Sequence, residues 1–217
     1  MLDYYLVAFI DILGYSSMVK SDLEGPKGEE KYFAKLLNLY KETASLKYEN
    51  LNFDIIQFSD SVIISAPYEK IAFEPFLKLI AEYQWKLLKE NILCRGGITF
   101  GKHFFKDGFL FSSALIDAYS IESKLARYPR IIISKDLIDL ISVDGYKNPY
   151  IISDNNYSII NFFHVHKLSE DEESQIIKLI TQLENSAIET LSEKGLWLKE
   201  LYSHRYPNEY FKYERFK

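Results

Sequence analysis

Cysteine is nearly absent from this sequence: Cys94 is the only one in 217 residues. One thiol excludes an intrachain disulfide and any cysteine metal cluster, and it suits a reducing cytoplasm. Cys94 stands in an apolar run, where it reads as a small core side chain. Long apolar runs are missing too. No stretch reaches the roughly eighteen residues of a membrane span, and the opening Met1-Leu-Asp-Tyr-Tyr5 lacks the basic segment of a secretory signal. There is no excess of positive charge either. A net charge of −5 gives no general attraction to nucleic acid or an anionic membrane, so any phosphate binding needs local lysines, arginines, amides or metal. Only 9 glycines and 6 prolines stand against 47% hydrophobic and 16% aromatic residues, which excludes a disordered or repetitive chain. The sequence has no P-loop and no dinucleotide fingerprint. Its histidines, His103, His164, His166 and His204, lack a zinc spacing. His164 and His166 are expected on one face of a late strand, as metal ligands or as surface imidazoles.

What is present is an alternation of strands and helices without a linker or repeat, so 1–217 is expected to be one domain. Its core is expected over about 4–167, with a C-terminal helix and aromatic tail over about 168–217. Residues 6–10 are continuously apolar and predict a strand buried on both faces. Residues 16–27 read mainly as a helical turn and loop, and 29–48 as an amphipathic helix carrying Phe33, Leu36, Leu37 and Tyr40. Residues 53–58 and 61–66 predict a β-hairpin around Ser59-Asp60, with a slightly longer loop because Ser-Asp is not a tight-turn pair. A helix over 69–90 and a strand over 92–100 follow. Then come a loop or hairpin arm over 102–111 and a helix over about 113–125, capped by Ser112 or Ser113. Residues 131–133 predict an inner strand, 135–141 a helix capped by Ser134, 145–156 a polar loop, 157–164 a strand, and 170–192 one long helix. Strand–helix–strand–strand–helix–strand is the ferredoxin-like order, so the fold class is α/β (α+β) with a βαββαβ core.

Two carboxylates interrupt this pattern. Asp11 follows the first apolar run, and Asp60 sits between the two strands of the hairpin. In a ferredoxin-like sheet the first strand lies beside the second strand of the hairpin, so both carboxylates share one edge. Either they bind a hard divalent cation, whose usual work is on substrate phosphates, or Asp11 caps a helix and Asp60 is a turn residue. Gly14 permits a backbone conformation that a Cβ hinders. Gly96 and Gly97 mark a place where another backbone or a ligand comes close.

The segments Phe9-Ile-Asp-Ile-Leu-Gly-Tyr15, Phe58-Ser-Asp60 and Arg95-Gly-Gly-Ile-Thr-Phe-Gly101 resemble, in that order, the landmarks of the class III nucleotidyl cyclase catalytic domain. More closely, they resemble the bacterial pyrimidine cyclases of the Pycsar anti-phage system. Ser113 to Glu122 and Tyr128-Pro-Arg-Ile-Ile-Ile133 extend the likeness over about two thirds of the chain. The resemblance implies a lyase that converts UTP or CTP to its 3′,5′-cyclic monophosphate and pyrophosphate, as a signal to a separate effector in antiviral defence. It implies two Mn²⁺ or Mg²⁺ ions held by Asp11, Asp60 and the Ile12 carbonyl, and triphosphate contacts from the Leu13, Gly14, Tyr15 and Ser16 amides. It also implies a homodimer with the site between two catalytic domains, and no nucleic-acid or membrane partner. Family members carry an Asn and an Arg where this chain has Ile116 and Ser120, so the transition-state charge must come from elsewhere. Arg95 is the leading substitute, either as a phosphate ligand or in a structural salt bridge; Lys124, Arg127 and Arg130 are further candidates. Asp117 and Tyr119 face a partner or substrate, or are ordinary surface. The base pocket is assigned to Tyr48, Phe53 and Ile56, with Asn50, Asn52 and Gln57 nearby for hydrogen bonding. Ile56 replaces the Lys of adenine-selective relatives. The alternatives are an adenylyl or guanylyl cyclase, and a catalytically inactive nucleotide-sensing or dimerisation domain.

Overall fold

The computed structural model describes residues 2–45, 53–142 and 147–207. Its centre is β1 (Asp3–Ile12), whose residues Leu6 to Ile10 are buried. An apolar run of this kind needs partners on both edges and cover on both faces. It has antiparallel partners on each side, β3 (Ser61–Pro67) and β4 (Cys94–Lys106). The strand is longer than its apolar run because the ladder continues, from Asp3 opposite His103 to Ile12 opposite Cys94. Asp11 therefore lies within the strand, opposite Ser61 on one side and Arg95 on the other.

The sheet runs β2-β3-β1-β4-β6-β8-β7, where β2 is Asp54–Phe58, β6 Ile131–Ile133, β7 Ile151–Asp154 and β8 Tyr157–Ile160. Its first four strands have the order and antiparallel sense of the ferredoxin-like arrangement. The parallel β4–β6 pair makes the whole sheet mixed. The β2–β3 loop is the two residues Ser59-Asp60, since Phe58 pairs with Ser61, and Ser59 takes φ 54° to close it. No longer loop is needed. β5 (Phe109–Ser112) folds back on β4 through Asp107-Gly108, both with positive φ, so 102–111 is a full hairpin arm. His103 is accordingly a buried strand residue and not part of a loop.

Two apolar layers flank the sheet. The larger contains α3 (Phe73–Lys89), including Phe76, Leu77 and Ile80, together with Cys94. The smaller is Val7, Phe9 and Ile63 under Ala114 and Ala118 of α4 (Ser113–Leu125), whose first turn is capped by Ser112. α1 (Tyr15–Glu24) and α2 (Lys31–Ser45) connect β1 to β2, and α5 is Lys135–Ile141.

Four further expectations need correction. Residues 15–24 form a helix of ten residues at the rim of the core, with Tyr15 and Met18 only partly buried. The polar stretch 145–156 contains β7, an edge strand paired only to β8. The strand expected to reach His164 ends at Ile160, and Phe162–His164 is a 3₁₀ turn. His164 and His166 thus share no strand face; His166 contacts the Glu172 carboxylate. The helix expected over 170–192 is two, α6 (Glu170–Glu184) and α7 (Glu189–Arg205). The chain reverses after Asn185 so that Gly195 packs on α6, where an added Cβ would lie 2.5 Å from the Glu184 nitrogen.

α7 belongs to the main core. Trp197, Leu198, Leu201 and Tyr202 are buried in the larger layer. The Trp197 indole N–H donates to Asp154 at 2.9 Å, and Asp154 also accepts from Arg130 at 2.5 Å, with all three side chains buried.

Candidate functional site

The β1–β4 ladder sets Arg95 directly opposite Asp11. Its Nε donates to Asp11 Oδ2 at 3.1 Å and lies 2.7 Å from Glu122 Oε1. Nε carries one hydrogen, and that hydrogen is aligned on Asp11. Glu122 Oε1 is therefore held by charge alone and is left without a directed hydrogen bond. Side-chain exposure falls from 31% at Arg95 through 20% at Asp11 to 4% at Glu122, so the cluster runs inward from the surface.

Glycine makes this approach possible. A Cβ on Gly97 would sit 2.3 Å from the Ala118 carbonyl oxygen, and one on Gly96 2.5 Å from that of Phe9. With no Cβ, α4 rests directly on the β4 backbone. The stripe Ala114, Ala118, Glu122 then brings a carboxylate over Arg95. The close approach read from the two glycines is that of backbone.

Asp60 joins from the hairpin. Its carbonyl accepts from the Ile12 amide at 2.8 Å, and its carboxylate accepts from the Ser61 hydroxyl at 3.4 Å. Burial raises the Glu122 pKa; Arg95 opposes this, and Asp11 and Asp60 add to it. All three carboxylates thus act within one local field.

Lys194 of α7 feels the charges of the same cluster. Burial lowers its pKa first, then the charge of Arg95, while Glu193 and Asp11 act in the opposite sense. Its helix is fastened here by Glu193, which pairs with Arg127 at 2.5 and 2.7 Å. Sequence reasoning did not place Glu122 or Lys194 in the site. The i, i+4 spacing of Glu122 from Ala118 was a usable signal; nothing local marks Lys194.

The expected triphosphate segment is divided. The Leu13 amide is committed to the Leu93 carbonyl at 2.9 Å, which removes it as a phosphate donor. Gly14, at φ 79°, precedes α1, and Tyr15 and Ser16 open its first turn, where amides lack intrahelical partners. A groove of about 920 Å³ between α1, α2 and β2 is lined by Tyr15, Tyr32, Phe33, Tyr40, Gln57 and Ser59.

Ile116 and Ser120 lie on the outer part of α4. Ser120 opens onto a cavity of about 320 Å³ shared with Thr99, Asp117, Lys124, Ser134 and Asp136. Arg127 and Arg130 are engaged by Glu193 and Asp154. Tyr48, Asn50 and Asn52 lie outside the described residues. Phe53 packs on Phe76 in the larger layer and Ile56 in the smaller, on opposite faces of the sheet.

Among the described residues no three His, Cys, Asp or Glu side chains form a ready-made metal cage. A Mg²⁺-type ion does not require one, because one or two carboxylates with water and substrate oxygens suffice. Asp11 already carries a cationic partner, and Asp60 acts in the same field, so the donor set fits a hard cation. Among the described residues, no helix is long and apolar enough to cross a membrane.

No family model and no curated protein matches the chain. Among solved structures it is similar to an adenylate/guanylate cyclase/hydrolase from Silicibacter pomeroyi, with a TM-score of 0.48 and 16% identity over 74% of this chain and 95% of that one. It is also similar to a bacterial light-regulated adenylyl cyclase, with a TM-score of 0.42 and 12% identity over 82% of this chain and 58% of that one.

Proposed function

We propose that the protein is a metal-dependent nucleotidyl cyclase that closes a pyrimidine ribonucleoside triphosphate to its 3′,5′-cyclic monophosphate. The observation that carries this reading is that Asp11 and Asp60 stand at one place in the sheet, Asp11 opposite Ser61 and the Asp60 carbonyl bonded to the Ile12 amide, with Arg95 bonded to Asp11. In the reaction the ribose 3′-oxygen bonds to the α-phosphorus and the bond to the β-phosphate oxygen breaks. Pyrophosphate leaves and the hydroxyl proton passes to solvent. Asp11, Asp60 and the Ile12 carbonyl would hold Mn²⁺ or Mg²⁺, which favours the deprotonated hydroxyl and neutralises leaving-group charge.

The chain's own groups do the rest. The Tyr15 and Ser16 amides, at a helix N-terminus, favour phosphate oxygens. Arg95 and Lys194 supply the positive charge that Ser120 cannot. Ile56, apolar where adenine-selective relatives carry a lysine, favours the pyrimidine over the purine reading. Self-association into a homodimer is supported by α4, where Ile116 is 69% exposed and Tyr119 lies on the same helical face.

Pyrophosphate release from each of the four ribonucleoside triphosphates with Mn²⁺, measured beside sedimentation of the active species, tests this. UTP or CTP is expected to react fastest, on a dimer. Faster release from ATP or GTP replaces the base assignment with a purine one. Release from none of them leaves a nucleotide-sensing domain.

Lys194 provides a separate check. Lys194→Met keeps the stem and removes the charge, so it is expected to lower kcat about tenfold with little change in melting temperature. Turnover equal to wild type would remove Lys194 from the site.

A further inference from the structure

Arg95 and Glu122 raise a question that cyclisation alone does not answer. A guanidinium bonded to Asp11 competes directly with any cation that Asp11 is to hold. A partly exposed pair this close attracts modestly, enough to shift a cation's affinity several-fold, so the competition is not negligible. On the other side of Arg95, 2.7 Å away, is the Glu122 carboxylate, 4% exposed and with Oε1 lacking a directed hydrogen bond. An isolated buried carboxylate is costly. α4 nevertheless carries one at the position where the sheet glycines let it approach Arg95.

We propose that Glu122 is a positioning residue that draws the Arg95 guanidinium from Asp11 when a divalent cation binds, so that the Arg95–Asp11 pair plugs the cation site of the resting protein. This rests on the proposed assignment of Asp11 as a cation ligand. The geometry needs only a small reorientation of Arg95, since Nε already touches both carboxylates. With a cation bound, Asp11 would turn to it and Arg95 would lose that partner. The Nε hydrogen then turns to Glu122 Oε1, satisfying the acceptor that lacks one.

The inference predicts opposite signs for two substitutions at one salt bridge. Glu122→Gln removes the anion that receives Arg95, so Mn²⁺ has to displace the guanidinium from Asp11 with no second carboxylate of this cluster to take it. Mn²⁺ binding is expected to weaken roughly tenfold. Arg95→Gln removes both the competitor and its repulsion of the ion, so binding is expected to tighten several-fold. In the Arg95→Gln background Glu122 has no guanidinium to receive. Adding Glu122→Gln there is expected to change affinity less than about twofold, a clear departure from additivity.

The experiment is a titration of Mn²⁺ into wild type, Glu122→Gln, Arg95→Gln, the double variant and Asp11→Asn, following free Mn²⁺ by its paramagnetic resonance. No nucleotide is present, and melting curves verify each fold. Weakening in Glu122→Gln, tightening in Arg95→Gln and near-equality of the double variant with Arg95→Gln support the proposal. Weaker binding in both single variants identifies a purely structural bridge and overturns it, as does wild-type affinity in Glu122→Gln. If Glu122→Gln does not fold, Arg95→Gln decides alone: tighter binding supports the proposal, and unchanged or weaker binding overturns it. Absence of Mn²⁺ binding by wild type, or equal binding by Asp11→Asn, overturns the metal assignment and this proposal with it. A loss confined to Asp11→Asn, with Glu122→Gln unchanged, overturns the plug alone.

Discussion

Asp11→Asn and Asp60→Asn are each expected to reduce cyclase turnover by about a thousandfold while leaving a folded protein. Asparagine keeps the shape and some hydrogen bonding of aspartate but loses the charge that attracts a cation. The several kcal/mol of charge stabilisation that a bound ion provides corresponds to a factor of this size. The folded state has less to lose. The structural bond at Asp60 comes from its backbone carbonyl, which Asn retains, and the Ser61 contact to its carboxylate is long at 3.4 Å. Asp11→Asn breaks a partly exposed ion pair, worth about 1 kcal/mol or less, and Arg95 keeps Glu122 as a partner. Turnover and melting temperature, measured on the same preparations, should therefore separate. If either variant loses both together, that carboxylate is a structural group.

The opposite separation is expected at the buried network beneath α7. Asp154→Ala should lower stability by about 3–5 kcal/mol, because it takes the carboxylate away from the buried Arg130 charge and from the Trp197 indole N–H. For a chain of this size that is a fall in melting temperature of about 10 °C. Arg130 cannot escape to solvent. Its guanidinium lies 5.4 Å from the Tyr128 ring centre and 4.8 Å from that of Tyr157, and it donates to the Leu125 carbonyl. Replacing both charges, as in Arg130→Met with Asp154→Leu, should restore most of the loss, since a well-packed apolar pair avoids the desolvation cost. At a temperature where Asp154→Ala is folded, its turnover should stay near wild type. A fall in melting temperature of only 2–3 °C would mean that water reaches the pair.

How much of this was legible in the sequence depended on what each residue has to satisfy. Leu6 to Ile10 reads as a buried strand because continuous apolar residues have few other solutions. Its neighbours β3 and β4 followed from the ferredoxin-like order. Asp11 and Asp60 stood out because charge interrupts apolar strands only for a reason. α1 did not stand out, since its stripe of Tyr15, Met18, Val19 and Leu23 is short, set among Ser and Asp, and buries no residue fully. The break between α6 and α7 was masked by apolar spacing that runs on from Ile176 to Ile188 across it. Lys194 was invisible for a different reason: only the fold-back of α7 brings it near Arg95, and one lysine in a charged helix announces nothing. Arg130 shows the converse. From the sequence it was one basic residue among several; its burial against Asp154 commits it to the core.

The most direct test of the carboxylate pair as a cyclase site is to identify the product. Wild type, Asp11→Asn and Asp60→Asn are incubated in excess Mn²⁺ with each of the four ribonucleoside triphosphates, and the nucleotides are resolved by chromatography against 3′,5′-cyclic standards. The expected result is a cyclic pyrimidine monophosphate from wild type, accompanied by an equal amount of pyrophosphate, and none above background from either variant. Equal cyclic product from all three proteins, or none from a folded wild-type protein with any base, would contradict it.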